Sequence, residues 1–217
     1  MSVAIIMMTT FRIDPESRLH KAGWLVGGQQ RKTQYIDGLR NFTRKMKKYK
    51  LDTYIIDNSS PFDELPNRIK RIITRKKITY INNTPNNLGK INKGAGLIEA
   101  WKDNLNLLAK YDWIIHFEPR QKMVADKVVD AFFQDNMIPY FKRRTSYGGL
   151  ETGFFIMRSS DMIEWINRQD AQQIANSGAS LEHRIDSFLR EKNIRHAEVT
   201  DLGLMWYHSY YKNWRSI

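Results

Sequence analysis

The 217 residues suffice for one globular domain with a buried core, and 41 % hydrophobic with 12 % aromatic residues excludes a disordered chain. The lack of cysteine excludes disulfides and thiolate metal sites and makes a reducing compartment the simplest setting. A formal net charge of +12 draws anionic partners in general but specifies none, because the basic residues are scattered over 44–48, 68–77 and 142–144, the first two runs on polar faces of predicted helices.

Val3 to Met8 is an aliphatic run far shorter than the ~20 residues of a membrane span, and it predicts a buried first strand ending at Thr9-Thr10. No basic leader or cleavage site accompanies it, which points to a soluble, cytoplasmic protein. A polar stretch from Asp14 to Lys32, with Gly23, Gly27 and Gly28, reads as a long loop near a site. Tyr35 to Tyr49 spaces Ile36, Leu39, Phe42 and Met46 as an amphipathic helix. Thr53 to Ile56 predicts a second strand, stopped by the turn cluster Asp57-Asn58-Ser59-Ser60.

Phe62 to Arg75 reads as a helix and Ile78 to Ile81 as a third strand. The Asn- and Gly-rich segment from Asn82 to Gly96 runs into a helix through Leu97, Trp101, Leu105 and Leu108. A fourth strand, Trp113 to Ile115, ends at His116-Phe117-Glu118-Pro119. Beyond it come helices near 124–133, 161–167 and 180–192, a strand near Gly153 to Met157, and an aromatic tail.

Strands and helices alternate four times, which predicts a mostly parallel sheet with right-handed crossovers, helices on both faces, and ligands outside the carboxyl ends of the strands. The polar clusters at 9–12, 57–60, 82–94 and 116–118 all follow predicted strands, so four loops converge on one edge. A Gly-rich dinucleotide fingerprint and a GxxxxGK[ST] phosphate loop are both absent, which disfavours dehydrogenases and P-loop NTPases. No linker divides residues 1–217, so a single domain is expected.

This ordered set of loops resembles the GT-A glycosyltransferases. Asp57-Asn58-Ser59-Ser60 is similar to their strand-end carboxylate, which meets the nucleoside, and the run Asn86 to Gly96 is similar to their N-x-G segment over the donor phosphates. Glycines permit close approach there, a helix start favours anions, and Lys93 suits a diphosphate. His116-Phe117-Glu118 stands where the family carries its metal-binding D-x-D. Imidazole and carboxylate both ligate Mn²⁺, whereas histidine suits Mg²⁺ less. Glu151 to Arg158 resembles the strand beneath the donor sugar, and His208 stands where some branches place a last metal ligand. The helix from Ser180-Leu181-Glu182 is similar to one that delivers a catalytic carboxylate. Compact size and Lys/Asn-rich composition are also similar to chlorella-virus glycosyltransferases that decorate capsid protein, which would place the chain in a host cytoplasm.

The resemblance implies a three-layer α/β fold of GT-A (Rossmann-like) type and transfer of a sugar from a nucleoside-diphosphate sugar, a UDP-sugar in the first instance, to a glycan or glycoprotein hydroxyl. Thr9, Thr10, Phe11, Arg12 and Asp57 would cradle the nucleoside. Asn87, Leu88, Gly89 and Lys93 would cover the phosphates and sugar, joined by His116 and Phe117. Glu118 and His208 would hold Mn²⁺ (or Mg²⁺), with His116 left open between metal and donor. Glu151 or Glu182 would be the base, and Trp24, Trp206 and Trp214 offer sugar-stacking faces.

Bland readings stand beside these. Asp57-Asn58 also fits a strand-ending turn, Gly89 and Gly94 plain turn glycines, His116 a buried histidine, and His208 a residue packed among tyrosines. The rival functions are a sugar-phosphate nucleotidyltransferase, a basic nucleic-acid-binding module, and an inactive sugar-binding relative. No nucleic-acid-binding signature and no membrane span is present in the sequence.

Overall fold

The computed structural model describes every residue except 14, 16, 18–27, 135–136, 145–147 and 209–212, and at 28, 207, 208 and 213 it describes the backbone alone. In chain order the elements are β1 (Val3–Thr9), α1 (Gly28–Met46), β2 (Asp52–Asp57), α2 (Asn67–Arg75), β3 (Thr79–Ile81), α3 (Lys93–Lys102), α4 (Leu105–Leu108), β4 (Trp113–Phe117) and β5 (Lys122–Met123). There follow α5 (Lys127–Gln134), β6 (Tyr140–Lys142), β7 (Phe154–Arg158), α6 (Ser159–Asn167), α7 (Ala171–Ser177), α8 (Leu181–Glu191), β8 (Ala197–Val199), β9 (Leu204–His208) and β10 (Asn213–Ser216).

Among the described residues the central sheet has seven strands in the order β3-β2-β1-β4-β7-β6-β8, and a second sheet has the order β10-β9-β5. β1 lies parallel to both β2 and β4, whereas β7 runs antiparallel to its neighbours β4 and β6. Every residue of β1 is buried because helices cover both faces. Val3, Ile5 and Met7 enter one core with Leu39 and Phe42 of α1, Ile69 of α2 and Phe132 of α5. Ala4, Ile6 and Met8 enter the other with Ile98 and Trp101 of α3, Trp165 of α6 and Ile185 of α8. The period-two alternation of a strand thus feeds two layers from one continuous apolar run. This is the expected three-layer α/β architecture.

Local chemistry moves several expected boundaries. Pro66, extended at ψ 137°, caps α2, so the single helix expected over 62–75 becomes a short 3₁₀ turn at Phe62–Glu64 and a helix from Asn67. The Asn104 side chain donates to the Ala100 carbonyl at 2.8 Å, and the helix expected to run on to Leu108 breaks there into α3 and α4. β4 extends past Ile115 because β1 and β7 continue to pair with it as far as Phe117. Of the stretch expected to be a loop up to Lys32, residues 28–32 belong to α1, and 14, 16 and 18–27 lie outside the described residues. Among the described residues no helix is long and apolar enough to cross a membrane.

One glycine fixes how α1 meets the strand ends. A Cβ added at Gly38 would lie 1.9 Å from the Pro119 carbonyl oxygen and 2.5 Å from that of Gln121, both backbone atoms. Gly38→Ala is therefore expected to cost about 1–3 kcal/mol, read as a lowered urea midpoint. A midpoint unchanged from the parent would show that helix and turn separate freely.

Candidate active site

The carboxyl ends of β1, β2 and β4 and the start of α3 enclose a narrow cleft of about 70 Å³. Thr9, Thr10, Asn58, Asn86, Gly89, Lys93 and Glu118 line it together with Arg31, Tyr35 and Arg120. Phe11, Arg12, Ser60 and Leu65 line an adjoining cleft of about 560 Å³, and the two clefts share Ile13, Arg31 and Tyr35. Segments distant along the chain thus meet at one rim.

Asp57 organises that rim from beneath. Its side chain is fully buried, and its carboxylate accepts hydrogen bonds from Thr9 Oγ1 at 2.7 Å, the Phe11 amide at 2.9 Å, the Ser59 amide and Oγ at 2.8 and 2.7 Å, and the Ser60 amide at 2.8 Å. Burial pushes its pKa up and these donors pull it back. With both oxygens so occupied, Asp57 holds the first loop against the second and does not reach into the cleft; the expectation of direct nucleoside contact is corrected to a positioning role. Thr10 Oγ1 donates to Asn58 at 2.9 Å and Asn58 donates to Asn86 at 3.0 Å, which ties the third loop to the other two.

The third loop is tied down in the same way. Asn92 Oδ1 caps α3 by accepting from the amides of Gly94 and Ala95 at 2.7 and 3.2 Å, so those donors are engaged and do not face an anion. Gly89 packs on Gly96, where an added Cβ would lie 2.5 Å from the Gly89 Cα. Asn87 is exposed and Leu88 packs towards the second core, so neither lines the cleft, contrary to expectation.

Of His116-Phe117-Glu118, only Glu118 reaches the rim, because the first two residues lie inside β4 and alternate across the sheet. Phe117 stacks on Phe42 at 4.1 Å in one core. His116 lies in the other between Trp101 and Phe155, with ring centroids at 5.3 and 4.8 Å. The expected donor contacts of His116 and Phe117 are thereby corrected to core packing. Neither imidazole nitrogen makes a well-formed hydrogen bond among the described residues, although the Thr152 backbone is a polar neighbour. Burial holds the imidazole pKa down at about 4, with the Glu118 charge opposing and the Lys93 charge assisting.

Glu118 is 7 % exposed. Lys93 Nζ lies 2.7 Å from both of its oxygens, and Arg120 Nη2 donates to Oε2 at 3.2 Å. Burial alone would raise its pKa, but the two cations outweigh burial and hold the carboxyl at about 2. Above them Arg31, 5 % exposed, donates through Nε to the Thr10 carbonyl at 2.9 Å and through Nη2 to Tyr35 Oη at 3.3 Å. Its Nη1 is buried with no partner among the described residues. Arg31, Tyr35 and Arg120 were not anticipated from the sequence: α1 begins about two turns before its apolar periodicity becomes visible, and Arg120 lies beyond the motif.

The two candidate bases also converge. Arg144 lies 3.8 Å from Glu151 and 3.4 Å from Glu182, and Ser180 Oγ donates to Glu182 at 2.6 Å. Burial raises the Glu151 pKa, Arg144 partly offsets this, and the charges of Glu182 and Glu118 add to the rise. His208 ends β9 as described backbone; its side chain and the whole of Trp24 lie outside the described residues. Trp206 is exposed, and the Trp214 ring lies under Lys122 Nζ at 4.0 Å. Among the described residues no three His, Asp or Glu side chains gather as metal ligands. Among the described residues the donor set at the rim is one carboxylate already held by two cations, which by itself does not fit Mn²⁺ or Mg²⁺; the other expected ligand, the His208 side chain, lies outside the described residues.

No protein-family model and no curated protein sequence matches the chain. Solved structures do. A protein from Desulfovibrio desulfuricans assigned as a nucleotide-diphospho-sugar transferase superposes with a TM-score of 0.55 at 12 % identity, over 92 % of this chain and 80 % of that one. A cytidylyltransferase from Leptospira borgpetersenii gives a TM-score of 0.51 at 11 % identity, over 92 % and 76 % of the two chains. A glycosyltransferase involved in glycosylation of the major capsid of the chlorella virus PBCV-1 gives 0.49 at 8 % identity, over 91 % and 82 %. The chain therefore has the GT-A-like fold of nucleotide-diphospho-sugar transferases.

Proposed function

We propose that this chain is a glycosyltransferase that takes a sugar from a nucleoside-diphosphate sugar, a UDP-sugar in the first instance, and transfers it to a hydroxyl of a glycan or glycoprotein. The observation that carries this reading is the meeting of Thr10, Asn58 and Glu118, from three separate strand ends, with Lys93 at the start of α3, at one cleft. Its joining to a wider, partly apolar cleft suits a nucleotide, with the diphosphate against Arg31, Lys93 and Arg120 and the nucleoside beside Phe11, Arg12 and Ser60.

In the reaction the bond between the anomeric carbon and the diphosphate oxygen breaks, and the nucleoside diphosphate leaves with the electron pair. The acceptor oxygen bonds to the anomeric carbon, and for an inverting course its proton passes to Glu151. Arg144 lies against both, and Glu151 is preferred to Glu182 because its raised pKa suits a base, whereas Glu182 also accepts from Ser180 Oγ. The cations at the cleft stabilise the charge that develops on the leaving group.

A second reading is nucleotidyl transfer, favoured by the same three cations, which also suit a triphosphate, and by the fold shared with the Leptospira cytidylyltransferase. Calorimetric titration with UDP, CDP and GDP and with their sugars tests the nucleotide site, and micromolar binding of at least one is expected. Turnover then separates the readings: nucleoside diphosphate released from a nucleotide sugar supports glycosyl transfer, and pyrophosphate released from a triphosphate supports the rival. Absence of nucleotide binding would remove both.

A further inference from the structure

Resting on that reading, we infer that the cleft binds the donor diphosphate through protein cations alone, with Arg31, Lys93 and Arg120 standing in for a divalent metal. Three features carry this. Among the described residues the cations lining the cleft number three against one lining carboxylate, Glu118, a surplus of two positive charges. A nucleotide sugar brings about one negative charge per phosphate, so the surplus matches a diphosphate without an added ion. The one carboxylate offered to a metal is held on both oxygens by Lys93 and on one by Arg120, so a cation entering there would have to displace or repel both.

The third feature is Arg31. A buried guanidinium with one nitrogen lacking a partner among the described residues costs free energy unless an anion completes it. Its Nε and Nη2 are fixed by Thr10 and Tyr35, so Nη1 is held in place, and the residue lines the cleft. A phosphate oxygen is the ligand that a fixed guanidinium N–H fits. Glu118 then acts as a counterion that keeps Lys93 and Arg120 aligned until the diphosphate enters.

The inference and a metal site predict opposite signs at Glu118. The nucleoside diphosphate bound best is titrated into the full chain with EDTA and again with excess Mn²⁺. Affinities within about twofold of each other are expected, since no ion takes part. Glu118→Gln, which removes the competing negative charge, is expected to tighten binding in EDTA about threefold or more, and Lys93→Met to weaken it about tenfold or more. Arg31→Lys keeps the charge but loses the fork and is expected to weaken binding, with the circular dichroism melt confirming that each variant is folded. Binding seen only with Mn²⁺, or abolished by Glu118→Gln, would overturn the cation-only site and leave the nucleotide reading standing. Binding in EDTA that ignores Lys93→Met and Arg31→Lys would overturn it too. Absence of nucleotide binding in either condition would overturn both.

Discussion

Asp57→Ala is expected to destabilise the fold by about 3–5 kcal/mol and to abolish nucleotide binding, although Asp57 does not line the cleft. The hydroxyls of Thr9 and Ser59 can turn to other acceptors, but the amides of Phe11, Ser59 and Ser60 cannot, and they would be left without a partner at the end of the sheet. Each such orphaned donor costs about 1–3 kcal/mol. Asp57→Asn keeps the shape but turns an amide donor towards fixed N–H groups, so it recovers only part of the loss. Urea unfolding of both variants measures this. A loss under ~1 kcal/mol for the alanine variant, together with weakened nucleotide binding, would return Asp57 to direct ligand contact.

Acid is expected to weaken the protein well before ordinary carboxylates titrate. Burial holds the His116 imidazole at about 4 in the folded protein, against an ordinary 6.5, so the unfolded chain takes up the proton first. A lowered imidazole pKa contributes stability in full above 6.5 and loses it as pH falls to about 4. The shift corresponds to a loss of up to ~3 kcal/mol across that window. Glu118 adds a second decline at lower pH: its contribution is complete above 4.5 and disappears as pH falls towards 2. His116→Phe, placed between Trp101 and Phe155, is expected to flatten the first decline and leave the second. Urea midpoints measured from pH 2 to pH 8 check both declines, and an unchanged slope above pH 4 in the variant would show that His116 is not the group responsible.

Much of the architecture was legible because the first half of the chain states its periodicities plainly. Val3 to Met8 could only be a strand buried on both faces, and the polar clusters after each strand mark the rim in the sequence itself. The strand near Gly153 to Met157 was legible as β7, but its antiparallel direction and the short β5, β6 and β8 were not, since a strand's direction and a pairing of two or three residues depend on neighbours that no local pattern encodes. At the site, the pattern identified the loops but not the duties within them. Asp57 looks like a ligand contact in sequence because the residues that cap and stitch backbone are the same polar types that bind substrates. His116 reads as a site residue until the strand is seen to continue through it. Arg31 and Arg120 needed the fold, for neither stands in a recognisable motif.

The contact at Gly38 has a mechanical meaning. Arg31 is on the same helix as Gly38, and Arg120 is in the turn that Gly38 abuts, so two distant guanidinium groups are mounted on parts held together backbone against backbone. That jaw has a fixed gauge. On the cation-only reading, sliding the helix would not widen it to admit a larger anion, and the main chain itself would select the spacing of charges on whatever enters.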